Sequence, residues 1–510
     1  MNYADLFRIT LPETALEIAA LIVLVVDLAF LRNAALRVRA ATASVLGIAG
    51  CAAAFFCVLG LGTETFTAAG SLDTALLSAG GLIAVAQGGI LVLTALTLLL
   101  LIDSGFTRHP GEYVAVALMS AVGGLVISGA QDLLVIFVGL ELLSLGLYVL
   151  TAFAKSSGRS SEAALKYYLF GGMSAAFLLF GFSYLYGLTG STNLHQVVIG
   201  SIISFGSGSP LFYVALVLIA AGLGFKVAAV PFHLWAPDAY EGAPAPAAAF
   251  IASVSKVASF ALLIGITTAI VHPFGETQAA SFVAVHSGPL PKYIGLAAPW
   301  SIVLAILAAA SMFAGNLAAL VQVSVRRLLA YSAIAHAGYM LLALAYPTQS
   351  PRSNQAILYY ILTYGLTTVG AFGVVGVVER ATGSDKLDAF LGLQKRNPLL
   401  AAVLLILLLS LAGIPPLVGF WAKFNLFAAV LAANAGAVPF ALVALAVGFS
   451  AVSLYYYLQV LKRAYVMPPP AEACCIDVHP VTAIVLAVIA AAVLVMGCLP
   501  AVLQNWIAGL

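Results

Sequence analysis

Residues 224–246 read GFKVAAVPFHLWAPDAYEGAPAP. Lys226 and Pro231 lie inside an apolar stretch that begins near residue 210. An unbroken helix over that stretch, about 30 residues, would be roughly 45 Å long, against a hydrocarbon core of about 30 Å. Pro231 has no amide hydrogen to donate, and its ring collides with the preceding turn. The sequence therefore predicts a break near the middle of the stretch. Lys226 then falls in the last turn of the first half-helix, where unpaired carbonyls favour a cation. The break and the charge explain each other.

The surrounding chain sets the solvent. Of 510 residues, 63% are hydrophobic and 8% charged, with a mean hydropathy of +1.11, which excludes a soluble globular protein and implies a polytopic membrane protein. A net charge of +2 leaves no basic stripe, which argues against nucleic acid as a partner and leaves the lipid bilayer. The cysteines Cys51, Cys57, Cys474, Cys475 and Cys498 form no C-x-x-C pair and no cluster at metal-ligand spacing. They read as inert small residues, so no cofactor or metal is expected in this chain. The first apolar stretch, residues 11–31, lacks a small-residue cleavage pattern and reads as a retained spanning helix.

Stretches of spanning length fall at 11–31, 38–61, 79–102, 111–130, 133–153, 163–188, 210–240, 244–271, 299–321, 327–346, 355–379, 398–432, 437–462 and 480–504. The expected fold class is all-α, with 14 transmembrane helices. With the N-terminus outside, 15 lysines and arginines fall in inner loops and 3 (Arg8, Lys292, Arg352) in outer ones. That asymmetry sets the orientation, with both termini on the outer, periplasmic face of the cell membrane. The remaining three basic residues, Lys226, Lys256 and Lys423, lie inside the stretches.

The twelfth stretch repeats the device of the seventh. In GIPPLVGFWAKFNLF, Gly413, Pro415 and Pro416 lie mid-span, and Lys423 follows two turns later. Two interrupted, lysine-bearing helices five spans apart cross in opposite senses, as in two inverted five-helix repeats, spans 4–8 and 9–13. The implied organisation is 1–110 as an N-terminal three-helix segment, 111–271 and 299–462 as the repeats, and 463–510 as a C-terminal loop and last helix.

Lys256 lies about halfway along the eighth span and Glu141 about halfway along the fifth. Each such charge costs at least about 2.5 kcal/mol on insertion scales, so four in one bundle imply a purpose. A purely structural buried pair is a poor reason, because apolar packing stabilises as well or better. Burial disfavours the charged form of a lysine and a nearby carboxylate favours it, so the set suits a proton relay. His336, deep in VRRLLAYSAIAHAGYML, joins the candidates, as does His233, which follows the break and is equally suited to capping freed carbonyls. Asp27 reads as a local ion pair with Arg32, and Asp238 and Glu241 as groups that order the end of the seventh span. GLGFK at 222–226 lacks phosphate-loop spacing.

FVGLELLSLGLYVL, KYYLFGGMSAAFLLFG, GFKVAAVPFHLWAPDAYEGAPAP, VRRLLAYSAIAHAGYML and LAGIPPLVGFWAKF together resemble the subunit N family of bacterial NADH-quinone oxidoreductase, respiratory complex I. The resemblance spans essentially the whole chain. It implies an antiporter-like, proton-translocating subunit, with Glu141 paired to Lys226, Lys256 as the central lysine and Lys423 facing the exit or the next subunit. It also implies partners among the other membrane-arm subunits, with NADH, FMN, iron-sulfur clusters and quinone held elsewhere in the complex. In the run SVSK, serine stands where some relatives place a proline before the lysine. A multi-subunit sodium/proton antiporter shares the lysine and glutamate pattern, but PDAYEGAPAP argues against it.

Overall fold

The computed structural model describes residues 3–61, 66–67, 75–205, 210–271, 294–348, 352–434, 436–471 and 475–508. Lys292 and Cys474 lie outside these residues. Apart from an antiparallel ribbon of β1 (Phe66–Thr67) and β2 (Ser78–Ala79), the regular structure described is helical. The helices are α1 (Tyr3–Ile9), α2 (Leu11–Val25), α3 (Leu36–Gly60), α4 (Gly81–Leu101), α5 (Pro110–Gly129), α6 (Leu133–Thr151) and α7 (Gly158–Thr189). They continue with α8 (Leu194–Phe205), α9 (Pro210–Lys226), α10 (Trp235–Gly242), α11 (Ala245–Ala252), α12 (Val254–Val271), α13 (Ile294–Leu320) and α14 (Val325–Ala345). The last are α15 (Arg352–Thr382), α16 (Leu393–Arg396), α17 (Pro398–Ala412), α18 (Val418–Ala433), α19 (Ala437–Tyr465), α20 (Pro480–Cys498) and α21 (Pro500–Ala508).

Among the described residues, 11 helices are long and apolar enough to cross a membrane, counting α11 and α12 as one. The other three of the predicted stretches are built from shorter pieces. The first is α2 running into a π-helical turn at Val26–Phe30. The seventh and twelfth are broken as expected, between α9 and α10 and between α17 and α18. Each break contains a cis X–Pro bond, Val230–Pro231 and Pro415–Pro416. The eighth stretch has an unexpected discontinuity at Ser253, within SVSK, between α11 and α12.

Lipid tails drive no burial of apolar helices, so association rests on close packing and small residues. A Cβ on Gly123 of α5 would lie 2.4 Å from the backbone nitrogen of Leu143 on α6, so only glycine permits that approach. Gly315 of α13 has the same relation to α14, with Ala335 N at 2.7 Å. α11–α12, α14 and α15 are the most enclosed of the spanning helices, and α19 is the most peripheral.

The two helix pairs share a second feature. Leu133 N donates to Thr192 O (2.8 Å) and Leu194 N to Gln131 O (2.8 Å), tying the start of α6 to the segment after α7. Val325 N donates to Asp385 O (2.9 Å) and Leu387 N to Val323 O (2.9 Å), tying the start of α14 to the segment after α15. Each tie is clamped by the N-cap side chain of its helix. Thr192 Oγ1 donates to Asp132 at 2.6 Å, and the Ser324 hydroxyl donates to Asp385.

Candidate functional site

The break after α9 frees carbonyls that a continuous helix would bond internally. They are satisfied one by one. Ala229 N donates to Gly224 O (2.7 Å), and the Phe225 carbonyl accepts from Ala228 N (3.0 Å) and from Trp235 Nε1 (2.9 Å). The Val227 carbonyl accepts from the ammonium of Lys256 at 2.8 Å. Val230 N, freed on the other side, donates to Ser311 Oγ at 2.9 Å. Ala228 holds φ = 57°, the left-handed turn that lets the chain leave the helix.

Lys226 is the last residue of α9 and is buried. Its Nζ lies 4.0 Å from Glu141 Oε1 and donates to the hydroxyl of Ser144, one turn along α6 from Glu141. Glu141 is 27% exposed in its side chain, against 7% for Lys226, so the pair straddles the edge of the bundle. Exposed Val138 and Leu145 flank Glu141 on that edge.

Lys256, also buried, donates to Ala333 O (3.3 Å) on α14 in addition to Val227 O. Both acceptors are neutral carbonyls, and no carboxylate pairs with Lys256 among the described residues. One turn beyond Ala333, His336 Nδ1 is 2.8 Å from Tyr360 Oη, and its Nε2 is 3.5 Å from Tyr457 Oη, which in turn bonds Ser332. His336 lies within Coulombic range of both Lys256 and Lys423. A cavity of about 10 Å³ opens between His336, Tyr360, Tyr364, Ser410 and Ala422, space for roughly one water.

Lys423 sits on α18 and reaches back across its break, donating to Ala412 O (2.9 Å), the last carbonyl of α17, and to Ser450 Oγ (2.8 Å). Its Nζ lies 5.5 Å from the ring centre of Tyr339, three residues beyond His336. The structure therefore brings five of the six candidates into succession, Glu141 at the edge of the bundle and Lys226, Lys256, His336 and Lys423 buried within it.

His233 stands apart. Its ring faces Tyr331 at 6.5 Å, and its buried Nδ1 has no hydrogen-bond partner among the described residues. The freed carbonyls are capped by Trp235, Lys256 and backbone amides instead. Asp27 makes an ion pair, but with Arg39 at 2.6 Å rather than Arg32. The chain reverses between α2 and α3 and brings Arg39, one turn into α3, back over the acid. Asp238 bonds Lys166 (2.9 Å) and Arg327 (2.6 Å), and Glu241 bonds Arg327 (3.0 Å), so both acids tie α10 to α7 and α14. Sequence reasoning missed Ser144, Ser311, Ser450, Tyr360 and Tyr457. A hydroxyl in an apolar stretch is a weak signal, because most such groups bond the preceding turn of their own helix.

A family model described as NADH:quinone oxidoreductase/Mrp antiporter, TM matches residues 130–288 and 279–450. The curated protein NADH-quinone oxidoreductase subunit N 2 of Acidobacterium capsulatum is 47% identical over 99% of both chains. Among solved structures, a chain of respiratory complex I from Thermus thermophilus with bound aureothin aligns with a TM-score of 0.76 and 32% identity, covering 97% of this chain and 99% of that one. A chain of the Mrp complex from Dietzia aligns with a TM-score of 0.77 at 22% identity, covering 97% of this chain and 96% of that one, which shows a shared fold alone.

Proposed function

The chain belongs to the subunit N family of NADH-quinone oxidoreductase, and from that membership we propose that it translocates protons through Glu141, Lys226, Lys256, His336 and Lys423. The observation that carries this reading is the position of Lys256. Its ammonium joins the broken end of α9, where Lys226 sits, to the α14 backbone one turn from His336. A proton reaching Lys226 from Glu141 then passes by way of Lys256 and His336 toward Lys423, with water filling the short gaps. His233 lies beside this line.

The relay works within 14 spans, the three segmented stretches each crossing once, in the cell inner membrane with both termini on the periplasmic side. The segments 111–271 and 299–462 act as inverted repeats, flanked by 1–110 and 463–510. The matched ties at Asp132 and Ser324, and the matched glycine contacts of α5–α6 and α13–α14, support this symmetry. The driving step, quinone reduction by NADH through FMN and iron-sulfur clusters, belongs to other subunits of the complex. The exposed apolar residues beside Glu141 suit contact with a neighbouring membrane-arm subunit.

The test is the proton gradient formed per NADH oxidised by vesicles holding the intact complex, with Lys256 and Lys423 each changed to methionine. Both variants are expected to lower the ratio. A subunit that only braces the membrane arm would leave it unchanged.

A further inference from the structure

We propose that the cavity on the arginine-rich side of the bundle is a binding site for a phosphate-bearing anion. The cavity measures about 390 Å³ and lies where the end of α4, the start of α7, the α10–α11 junction, the end of α15 and the start of α20 meet. Arg159, Arg326, Arg380, Glu241, Glu379 and Thr482 carry its polar wall. None of them belongs to the relay.

Two atoms of this wall point to a ligand. The Arg326 side chain is only 5% exposed; its Nη1 donates to Glu241 O (3.1 Å) and Ala243 O (2.6 Å), and its Nη2 to Glu379. Its Nε is buried with no partner among the described residues, and so is Thr482 Oγ1. A buried donor left unmet costs about 1–3 kcal/mol, so an acceptor placed beside these two would be stabilised there.

The charge of the wall selects an anion. Glu379 is held by Arg326, Glu241 by Arg327 (3.0 Å), and Arg380 is matched by Asp103 (2.7 Å). Arg159 makes no ion pair among the described residues and acts on Glu379 only at longer range, so the lining holds three arginines against two glutamates. A phosphodiester or phosphate oxygen accepts from guanidinium N–H and from hydroxyl alike, and guanidinium matches phosphate geometry better than ammonium does. Leu100 and Val377 complete the wall with apolar surface suited to a glycerol backbone or acyl chain. The phosphate comes either from an anionic phospholipid or from free phosphate.

The experiment uses the solubilised intact complex in micelles doped at sub-saturating levels with photoreactive phosphatidylglycerol, against a photoreactive diacylglycerol control. Cross-links are mapped to peptides covering residues 241–246 and 373–383. A parallel arm measures radiolabelled inorganic phosphate by equilibrium dialysis. The variants are Arg159→Gln, which is exposed and safe for folding, and Thr482→Val, which preserves shape. Phosphatidylglycerol labelling that exceeds the control and falls about tenfold in both variants assigns the site to lipid. Phosphate binding that falls about tenfold, without lipid labelling, assigns it to a free anion. Equal results for wild type and variants in both arms overturn the proposal and leave a cavity that holds water.

Discussion

Lys256 and Val227 are joined by a hydrogen bond, ammonium to carbonyl at 2.8 Å, although 29 residues separate them in sequence. Lys423 makes the equivalent bond to Ala412 O, at 2.9 Å across the break between α17 and α18. In each case a mid-membrane cation is solvated by the C-terminal carbonyl end of a half-helix rather than by a carboxylate. Each broken helix thus holds an ammonium in place without a counter-charge among the described residues, which suits the carrier role proposed for both lysines.

Gly413 makes the second of these sites possible. It adopts φ = 86°, and a Cβ added there would lie 2.9 Å from Cδ and 3.3 Å from Nζ of Lys423. Gly413→Ala is expected to cost about 1–2 kcal/mol in backbone strain and to push the ammonium off Ala412 O. A lower melting temperature of the membrane arm together with reduced coupled turnover is the expected result. Unchanged turnover would show that this bond is dispensable.

Glu141 and Lys226 should behave as one unit, because removing either leaves the other an uncompensated charge at mid-membrane. In a cycle of Glu141→Gln, Lys226→Met and the double variant, the double is expected to lose little more coupled turnover than the worse single. Strict additivity of the two losses would place the residues in separate roles. Ser144→Ala removes the other acceptor of Lys226 and is expected to deepen the effect of Glu141→Gln.

The break at α9 was legible in the sequence because its causes are local: a residue without an amide hydrogen, a length too great for the bilayer and a lysine at a helix end. The Lys256–Val227 and His336–Tyr360 bonds were not, since each depends on how distant helices pack. Asp27 shows the same limit at short range: the pattern identified an ion pair but not that a tight reversal would deliver Arg39. The kink at Ser253 carries no proline to announce it. The matched ties at the starts of α6 and α14 were hidden for another reason. At Asp132–Thr192 the acid sits on the cap and the hydroxyl on the loop, and at Ser324–Asp385 they are exchanged. The same tie is thus made by different residues at its two places, so no repeated residue announces it.

His336 is either a proton carrier or a packing group between Tyr360 and Tyr457, and two substitutions separate these roles. Glutamine keeps a donor and an acceptor for the tyrosines but cannot take up a proton, whereas phenylalanine leaves the Tyr360 hydroxyl unmet at about 1–3 kcal/mol while Tyr457 keeps its bond to Ser332. His336→Gln is expected to assemble fully and to lower the proton gradient per NADH, and His336→Phe to lower assembly as well. Full pumping by the glutamine variant would reduce His336 to packing.

Lys256 offers the sharpest separation of a carrier from a fixed cation. A carrier must gain and lose its proton, whereas a fixed cation has only to stay charged. Arginine keeps the charge and remains protonated under all ordinary conditions. Its planar fork also has carbonyl acceptors available, Val227 O and Ala333 O, so the substitution preserves partners while changing chemistry. Lys256→Arg is therefore expected to assemble at wild-type levels and to impair pumping nearly as much as Lys256→Met, with any loss of NADH oxidation following from the coupling. The readout is the proton gradient per NADH in vesicles containing the intact complex, normalised to assembled complex so that a packing defect is not mistaken for a lost carrier. If the arginine variant pumps at the wild-type ratio, Lys256 is a fixed charge that shapes the break after α9, and the path from Lys226 to His336 must run through water alone.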